Sequence, residues 1–165
     1  MARDTLKALA RRIGIRLKHG KLKLATAESC TGGWVAQAAT SVSGSSVWFD
    51  RGFVTYSDAA KKELLGVRAR TLSRHGAVSR ETAKEMAAGA LARSRAHVAI
   101  AVTGIAGPSG GTKAKPVGTV CIAWARKRGA MESVTRRFLG SRERVRRQAV
   151  VSALQGLLDR LEETE

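Results

Sequence analysis

Residues Ala25–Gly33 read A-T-A-E-S-C-T-G-G. They pack a carboxylate, two hydroxyls, a thiol and two adjacent glycines around Glu28–Gly33. Upstream, Leu22 and Leu24 alternate with Lys21 and Lys23, the pattern of a half-buried strand. Downstream, Trp34, Val35, Ala38 and Ala39 recur at helical spacing. Glu28–Gly33 is therefore read as a strand-to-helix turn. Such a turn leaves backbone N–H groups free at a helix start and favours negative charge beside them. A nucleophile or an anionic ligand suits that position.

The flanking chain extends this pattern. Residues 4–18 set Leu6, Leu9, Ile13 and Leu17 on one face of an amphipathic helix, with Asp4 as a possible cap and His19-Gly20 as its end. A strand over 21–27 leads into the turn, and a helix runs from Thr31 to Ser41. After the polar loop 41–46, Val47–Tyr56 is rich in β-formers and reads as a strand. Gly52 marks a bulge or close approach within it. Ser57 or Asp58 caps a short helix that Gly66 stops. Glu81–Ser94 forms a further helix, capped by Ser79, with Met86, Ala90 and Leu91 facing inward.

His97–Thr103 (H-V-A-I-A-V-T) is a near-continuous apolar run, as expected of a strand covered on both faces. It enters the Gly-rich loop 104–116, of a length that is often functional. Val117–Ala125 and Met131–Leu139 read as a hairpin around Arg128-Gly129. A last helix runs from Ser141 to Leu161, with Val145, Val151, Leu154, Leu158 and Leu161 inward. The interspersed order predicts one α/β domain over residues 1–165: a three-layer α/β/α arrangement with a mixed sheet flanked by helices. Ligands in such folds favour the carboxyl ends of strands. The polar turns 28–33, 56–61 and 103–111 meet that condition.

Composition narrows the function classes. At 165 residues the chain can bury a core without disulfides or a structural metal. Aromatics are only 4% of residues, so Ala, Val, Leu and Ile must fill that core. No apolar run approaches the ~20 residues of a membrane helix, and the charged N-terminus lacks a signal-peptide core. A cytoplasmic protein is expected. Cys30 and Cys121 are expected to stay reduced. His19, His75 and His97 stand apart, with no H-x-x-H, C-x-x-C or paired-Asp pattern, so no metal site is expected. The net charge of +17 attracts polyanions in principle. The basic residues are spread along the chain with few aromatics between them, which favours a solvated basic surface over a nucleic-acid footprint.

Several residues are candidates for chemistry. Ser29 is a nucleophile or a helix cap, and Thr31 could cap equally well. Cys30 is intrinsically the better nucleophile at a helix start, yet no histidine is placed to partner it. Lys61, in the first turns of a helix, becomes a base only if burial or a neighbouring cation lowers its pKa. Tyr56 is the sole tyrosine. The G-x-x-G-x-x-G-G loop 104–111 can present N–H groups to a phosphate or oxyanion, but matches neither the P-loop nor the dinucleotide fingerprint. Arg136, Arg137, Arg142, Arg144, Arg146 and Arg147 cluster near the last strand-to-helix turn, where one or two can clamp a phosphate.

Taken in order, T-A-E-S-C-T-G-G, S-G-S-S-x-W-F-x-R-G-F-V-T-Y-S-x-x-A-K, L-G-V, G-A-V-S, V-T-G-I-A-G-P-x-G-G and K-P-V-G-T-V resemble the CinA C-terminal domain family. The resemblance spans about residues 5–160. It implies hydrolysis of nicotinamide mononucleotide to nicotinate mononucleotide and ammonia, without a cofactor and by a homo-oligomer. It further implies Ser29 as nucleophile, Lys61 as base and Tyr56 as a hydrogen-bonding assistant. Ser46 is the other serine in a family motif and remains the alternative nucleophile. Glu28, Thr31, Gly32, Ser45, Ser46, Thr103, Gly104, Gly107, Arg142 and Arg146 are implied around the substrate, which of the arginines meets its phosphate being left open. A field of nearby positive charge is expected to lower the pKa of Lys61.

Overall fold

Alternation inside V-A-I-A-V divides the molecule into its layers. Val98, Ile100 and Val102 point to one face of the central sheet, while Ala99 and Ala101 point to the other. The neighbouring strands repeat the division, with Val120, Ile122 and Trp124 on the first face and Cys121, Ala123 and Ala125 on the second. Large side chains fill the space beneath one helical layer. Alanines let the other layer approach closely.

The computed structural model describes residues 2–164. The elements in order are α1 (Ala2–Gly20), β1 (Leu24–Glu28), α2 (Trp34–Thr40), a 3-10 turn (Ser45–Val47), β2 (Phe49–Val54), α3 (Asp58–Leu65) and α4 (Ala69–His75). They continue with α5 (Arg80–Ala92), β3 (Val98–Gly104), β4 (Thr119–Arg126), β5 (Met131–Arg137) and α6 (Arg142–Glu163). The sheet order is β2-β1-β3-β4-β5. The first three are mutually parallel, and β4 and β5 add an antiparallel hairpin. Helices α1, α2 and α6 cover the face with the large residues, and α3, α4 and α5 cover the alanine face. This is the three-layer α/β fold with a mixed sheet that the order of elements predicts. Each fully buried Leu, Ile or Val contributes about 1.5–3 kcal/mol relative to an exposed one.

Two mid-helix glycines make close approaches. A Cβ on Gly156 of α6 would lie 2.1 Å from the Trp124 ring, and that ring donates its indole N–H to the Ala153 carbonyl at 2.9 Å. A Cβ on Gly89 of α5 would lie 2.0 Å from the Leu65 carbonyl oxygen, where α3 ends.

Several boundaries differ from the sequence reading. Helix α1 begins at Ala2, so Asp4 lies within it; the Asp4 side chain is outside the described residues. Helix α2 begins at Trp34 rather than Thr31, because Gly32 (φ 60) and Gly33 (φ 103) hold left-handed backbone. In β2 the extra residue is Asp50, since Leu24 pairs with Phe49 and Ala25 with Arg51. Gly52 instead makes a close approach, its Cβ position lying 2.7 Å from Thr26 Oγ1. Helix α4 was not anticipated. Val151 and Leu91, read as inward, are only partly buried.

Candidate active site

Because β1, β2 and β3 run parallel, the turns that follow them gather at one edge of the sheet. Ser29 follows β1, Thr55–Lys61 follow β2, and Gly104–Gly107 lead out of β3. Main-chain bonds lock the three together. Ser29 N donates to the Val102 carbonyl at 2.9 Å, and Thr55 N donates to the Glu28 carbonyl at 2.8 Å.

Glu28 is buried, and its carboxylate is fully engaged. It accepts from Thr31 Oγ1 at 2.6 Å, Val35 N at 2.8 Å and Ala36 N at 3.1 Å. A negative charge there complements the start of α2 and satisfies its orphan donors. Glu28 and Thr31, expected to contact substrate, therefore spend their side chains on shaping the turn that carries Ser29.

Ser57 caps α3 by accepting from Ala60 N, and the first helical turn then sends Lys61 inward. Only 1% of Lys61 is exposed. Its Nζ lies 2.9 Å from Ser29 Oγ, 2.9 Å from the Thr55 carbonyl and 2.9 Å from the Tyr56 carbonyl. A neutral amine has two N–H donors and one lone pair. Two carbonyls and one hydroxyl can accept all three N–H bonds of the ammonium; once the proton is lost, the lone pair can turn to the hydroxyl. Burial lowers the Lys61 pKa, and the carboxylate of Asp58 opposes the shift. The cause is thus desolvation, and not the expected field of neighbouring cations.

Ser29 Oγ also lies 3.3 Å from the Tyr56 carbonyl. Tyr56 meets the pair through its main chain, while its hydroxyl accepts from Arg142 Nη2 at 3.3 Å. The same guanidinium donates to the Gly107 carbonyl at 2.7 Å. Arg142, at the start of α6, so bridges the rims supplied by β2 and β3, with Ser29, just past the end of β1, between them. Arg146 turns toward the Ser29 turn, donating to the carbonyls of Cys30 at 3.0 Å and Thr31 at 3.3 Å. Cys30 is buried, and burial pushes its thiol up to about 12. It is a poor source of thiolate despite its place in the turn.

Other expected residues fall elsewhere. Thr103 is buried and donates to the Ala77 carbonyl at 2.9 Å. Gly104 lies against Cys30, its Cβ position 3.1 Å from Sγ. Ser45 and Ser46 precede β2, at the opposite end of the strands: Leu24 N donates to the Trp48 carbonyl there. The length of β1 separates them from Ser29, roughly 16 Å at about 3.3 Å per residue. Within one chain Ser46 does not reach Lys61. The Thr55 carbonyl was missed altogether, and a backbone contact of this kind leaves no mark on residue type. Among the described residues, no group of His, Cys, Asp and Glu is arranged to hold a metal.

The CinA C-terminal domain model matches residues 6–161. The chain belongs to that family. The nicotinamide-nucleotide amidohydrolase PncC of Escherichia coli (strain K12) is 53% identical over 159 residues, covering 95% of both chains. The PncC of Pseudomonas putida is 50% identical over 155 residues, covering 94% of this chain and 96% of its own. Among solved structures of the family, the competence/damage inducible protein CihA from Agrobacterium tumefaciens superposes with a TM-score of 0.93 at 48% identity, covering 96% of each chain. The CinA fold thus extends over nearly the whole chain, and no described helix is long and apolar enough to cross a membrane.

Proposed function

We propose that this protein is a nicotinamide-nucleotide amidohydrolase, converting nicotinamide mononucleotide and water to nicotinate mononucleotide and ammonia. The 2.9 Å contact between Lys61 Nζ and Ser29 Oγ carries the reading. The names of relatives at 50–53% identity supply the substrate class. Ser29 Oγ adds to the carboxamide carbon as neutral Lys61 takes its proton. The lysine ammonium returns that proton to the departing nitrogen, and ammonia leaves. Water, deprotonated by Lys61, then attacks the acyl-serine; the C–Oγ bond breaks, the lysine ammonium returns the proton to Ser29 Oγ, and the acid product leaves as its carboxylate. The Thr55 and Tyr56 carbonyls hold the amine oriented through both proton transfers.

Arg142 is the phosphate ligand in this reading. Its contacts with the Tyr56 hydroxyl and the Gly107 carbonyl are exchangeable for a phosphate. The enzyme acts on a free nucleotide in the cytoplasm, in pyridine-nucleotide salvage, as a cofactor-free homo-oligomer formed from a single domain.

Ammonia release from the mononucleotide tests the proposal. Lys61→Met is expected to lower kcat by about 10²–10⁴, and Ser29→Ala to remove turnover, both with the fold retained by circular dichroism. Arg142→Met should raise KM for the mononucleotide by about 10–150-fold, the loss of a charged hydrogen bond worth about 1.5–3 kcal/mol, while leaving the riboside unaffected. Normal turnover in both Ser29→Ala and Lys61→Met refutes the site.

A further inference from the structure

Arg146, expected around the substrate, spends its guanidinium on the chain's own carbonyls. Its Nε donates to the Cys30 carbonyl at 3.0 Å and its Nη2 to the Thr31 carbonyl at 3.3 Å. The guanidinium also lies over the Trp34 ring, 5.6 Å from its centroid, which limits its freedom. A planar fork suits two successive carbonyls in a way that a lysine does not. The turn is otherwise closed by its own main chain, with Gly32 N donating to the Ser29 carbonyl at 3.1 Å and Trp34 N to the Thr31 carbonyl at 3.0 Å.

The Cys30 carbonyl belongs to the same peptide unit as the Thr31 N–H. That N–H has no acceptor among the described residues, although it lies two residues from the nucleophile. A cation bonded to the carbonyl of a peptide orients that peptide and strengthens its N–H as a donor, because hydrogen bonds in a chain polarise one another. A tetrahedral adduct of Ser29 places a new negative charge beside this turn, and preorganised donors are worth most at such a charge.

We infer that Arg146 is a positioning residue: it holds and polarises the Cys30–Thr31 peptide so that the Thr31 N–H donates to the oxyanion formed when Ser29 adds to the carboxamide. This rests on the Ser29/Lys61 reading above. The step itself is unchanged: the Oγ–C bond forms, the carbonyl π pair moves to oxygen, and the serine proton goes to Lys61. Arg146 touches neither substrate nor the reacting atoms.

The test compares Arg146→Met and Arg146→Lys with the unaltered full chain. It measures kcat, KM and the pH midpoint of kcat. It also measures the affinity of a substrate analogue carrying an aldehyde in place of the carboxamide, which captures serine as a hemiacetal oxyanion. For Arg146→Met, kcat should fall about 10²–10³-fold, KM should stay within twofold, and aldehyde affinity should fall with kcat. The pH midpoint should not move, because the partners of Lys61 are untouched. Arg146→Lys should recover part of kcat, and it carries the test if the methionine variant does not fold. A tenfold rise in KM with kcat retained overturns the inference and makes Arg146 a substrate ligand. So does a fall in kcat with unchanged aldehyde affinity, or one accompanied by a shifted pH midpoint. If the unaltered chain releases no ammonia, or Ser29→Ala retains it, the underlying reading has failed and not the role of Arg146.

Discussion

Gly89 lies outside the site, yet Gly89→Ala is expected to slow turnover sharply. A Cβ there would sit 2.0 Å from the Leu65 carbonyl oxygen, 2.8 Å from its carbon and 3.0 Å from its Cα. All three are backbone atoms and cannot swing aside. Ordinary contact begins near 3.4 Å, so the end of α3 must retreat by roughly 1.4 Å, a forced expansion of a dense core. Lys61 is one turn back on the same helix. Its 2.9 Å contact with Ser29 would then stretch beyond the ~3.2 Å limit of a good hydrogen bond. A misplacement of about 1 Å at reacting groups can cost about 10² in rate.

Overpacking costs about 1–3 kcal/mol. The move also disturbs the bond from Arg93 to the Leu65 carbonyl. Better helix propensity returns up to about 1 kcal/mol. With about 1 kcal/mol for that disturbed bond, the net loss is about 1–3 kcal/mol, or about 2–12 °C in Tm for a chain of this size. Calorimetry and ammonia release on the same preparation measure both effects. Gly129→Ala is the control, since its nearest neighbour is an ordinary 3.4 Å away. A Gly89→Ala enzyme with normal kcat and lowered Tm would refute the claim that the α3–α5 contact places Lys61. Normal values of both would refute the packing argument itself.

Three further outcomes follow from the same coordinates. Burial holds Lys61 below its ordinary 10.5, so the unfolded chain binds a proton that the folded chain refuses. Stability therefore rises with pH between the folded value and 10.5, and levels off above it. Urea midpoints of the unaltered chain and Lys61→Met should diverge as pH falls through that window and keep a constant offset below it; curves that stay parallel across the window would contradict a depressed pKa. In the same direction, kcat should climb with pH as Lys61 loses its proton. The Cys30 thiol, pushed up to about 12, stays protonated near neutrality, so Cys30→Ala should keep kcat within tenfold and iodoacetamide at pH 8 should not inhibit; inhibition lost in Cys30→Ala would show an accessible thiolate. Glu28→Gln sets an amide N–H₂ among donors that now bond a carboxylate. It should cost about 1–3 kcal/mol, read as a lower urea midpoint with unchanged slope, and should reduce kcat because the Ser29 turn loosens. An unchanged midpoint would show that the carboxylate does not hold the turn.

Local chemistry was legible in the sequence, and long-range geometry was legible only through pattern. Ser57 (with Asp58 as its alternative) and Ser79 were readable as caps, because a cap is satisfied within its own first turn: they accept from Ala60 and Thr82. Ser141, read only as the start of the last helix, caps it in the same way by accepting from Arg144. The strand 98–104 was readable from its apolar run. Its alternation of large and small residues, which assigns each helical layer to a face, carries meaning only once neighbouring strands repeat it. Helix α4 left almost no signal, since Thr71 is its one buried residue and nothing caps its start with a side chain.

The pairing of Ser29 with Lys61 spans 32 residues, and parallel strands make the connection. Successive parallel strands deliver the turns that follow them to one edge, so a turn rich in functional groups after β1 meets the turn after β2. Within one chain the same rule keeps Ser45 and Ser46 away from Lys61, since they precede β2 and are delivered to the other edge. A motif records residue types but not the end of a strand on which they fall. Arg142 and Arg146 show the limit once more: they are one turn apart on one helix and chemically identical. One bridges the rims around Ser29 while the other braces the turn that carries it. The electrostatics follow suit. A chain of net charge +17 invites an explanation of its lysine base by like-charge repulsion, yet the charged neighbour that acts most on Lys61 is the carboxylate of Asp58, pushing the wrong way. Desolvation overcomes it because Lys61 is buried and its polar partners are two carbonyls and a hydroxyl. Those partners carry no formal charge to hold the proton, and no cation of the basic surface is among the causes of the shift.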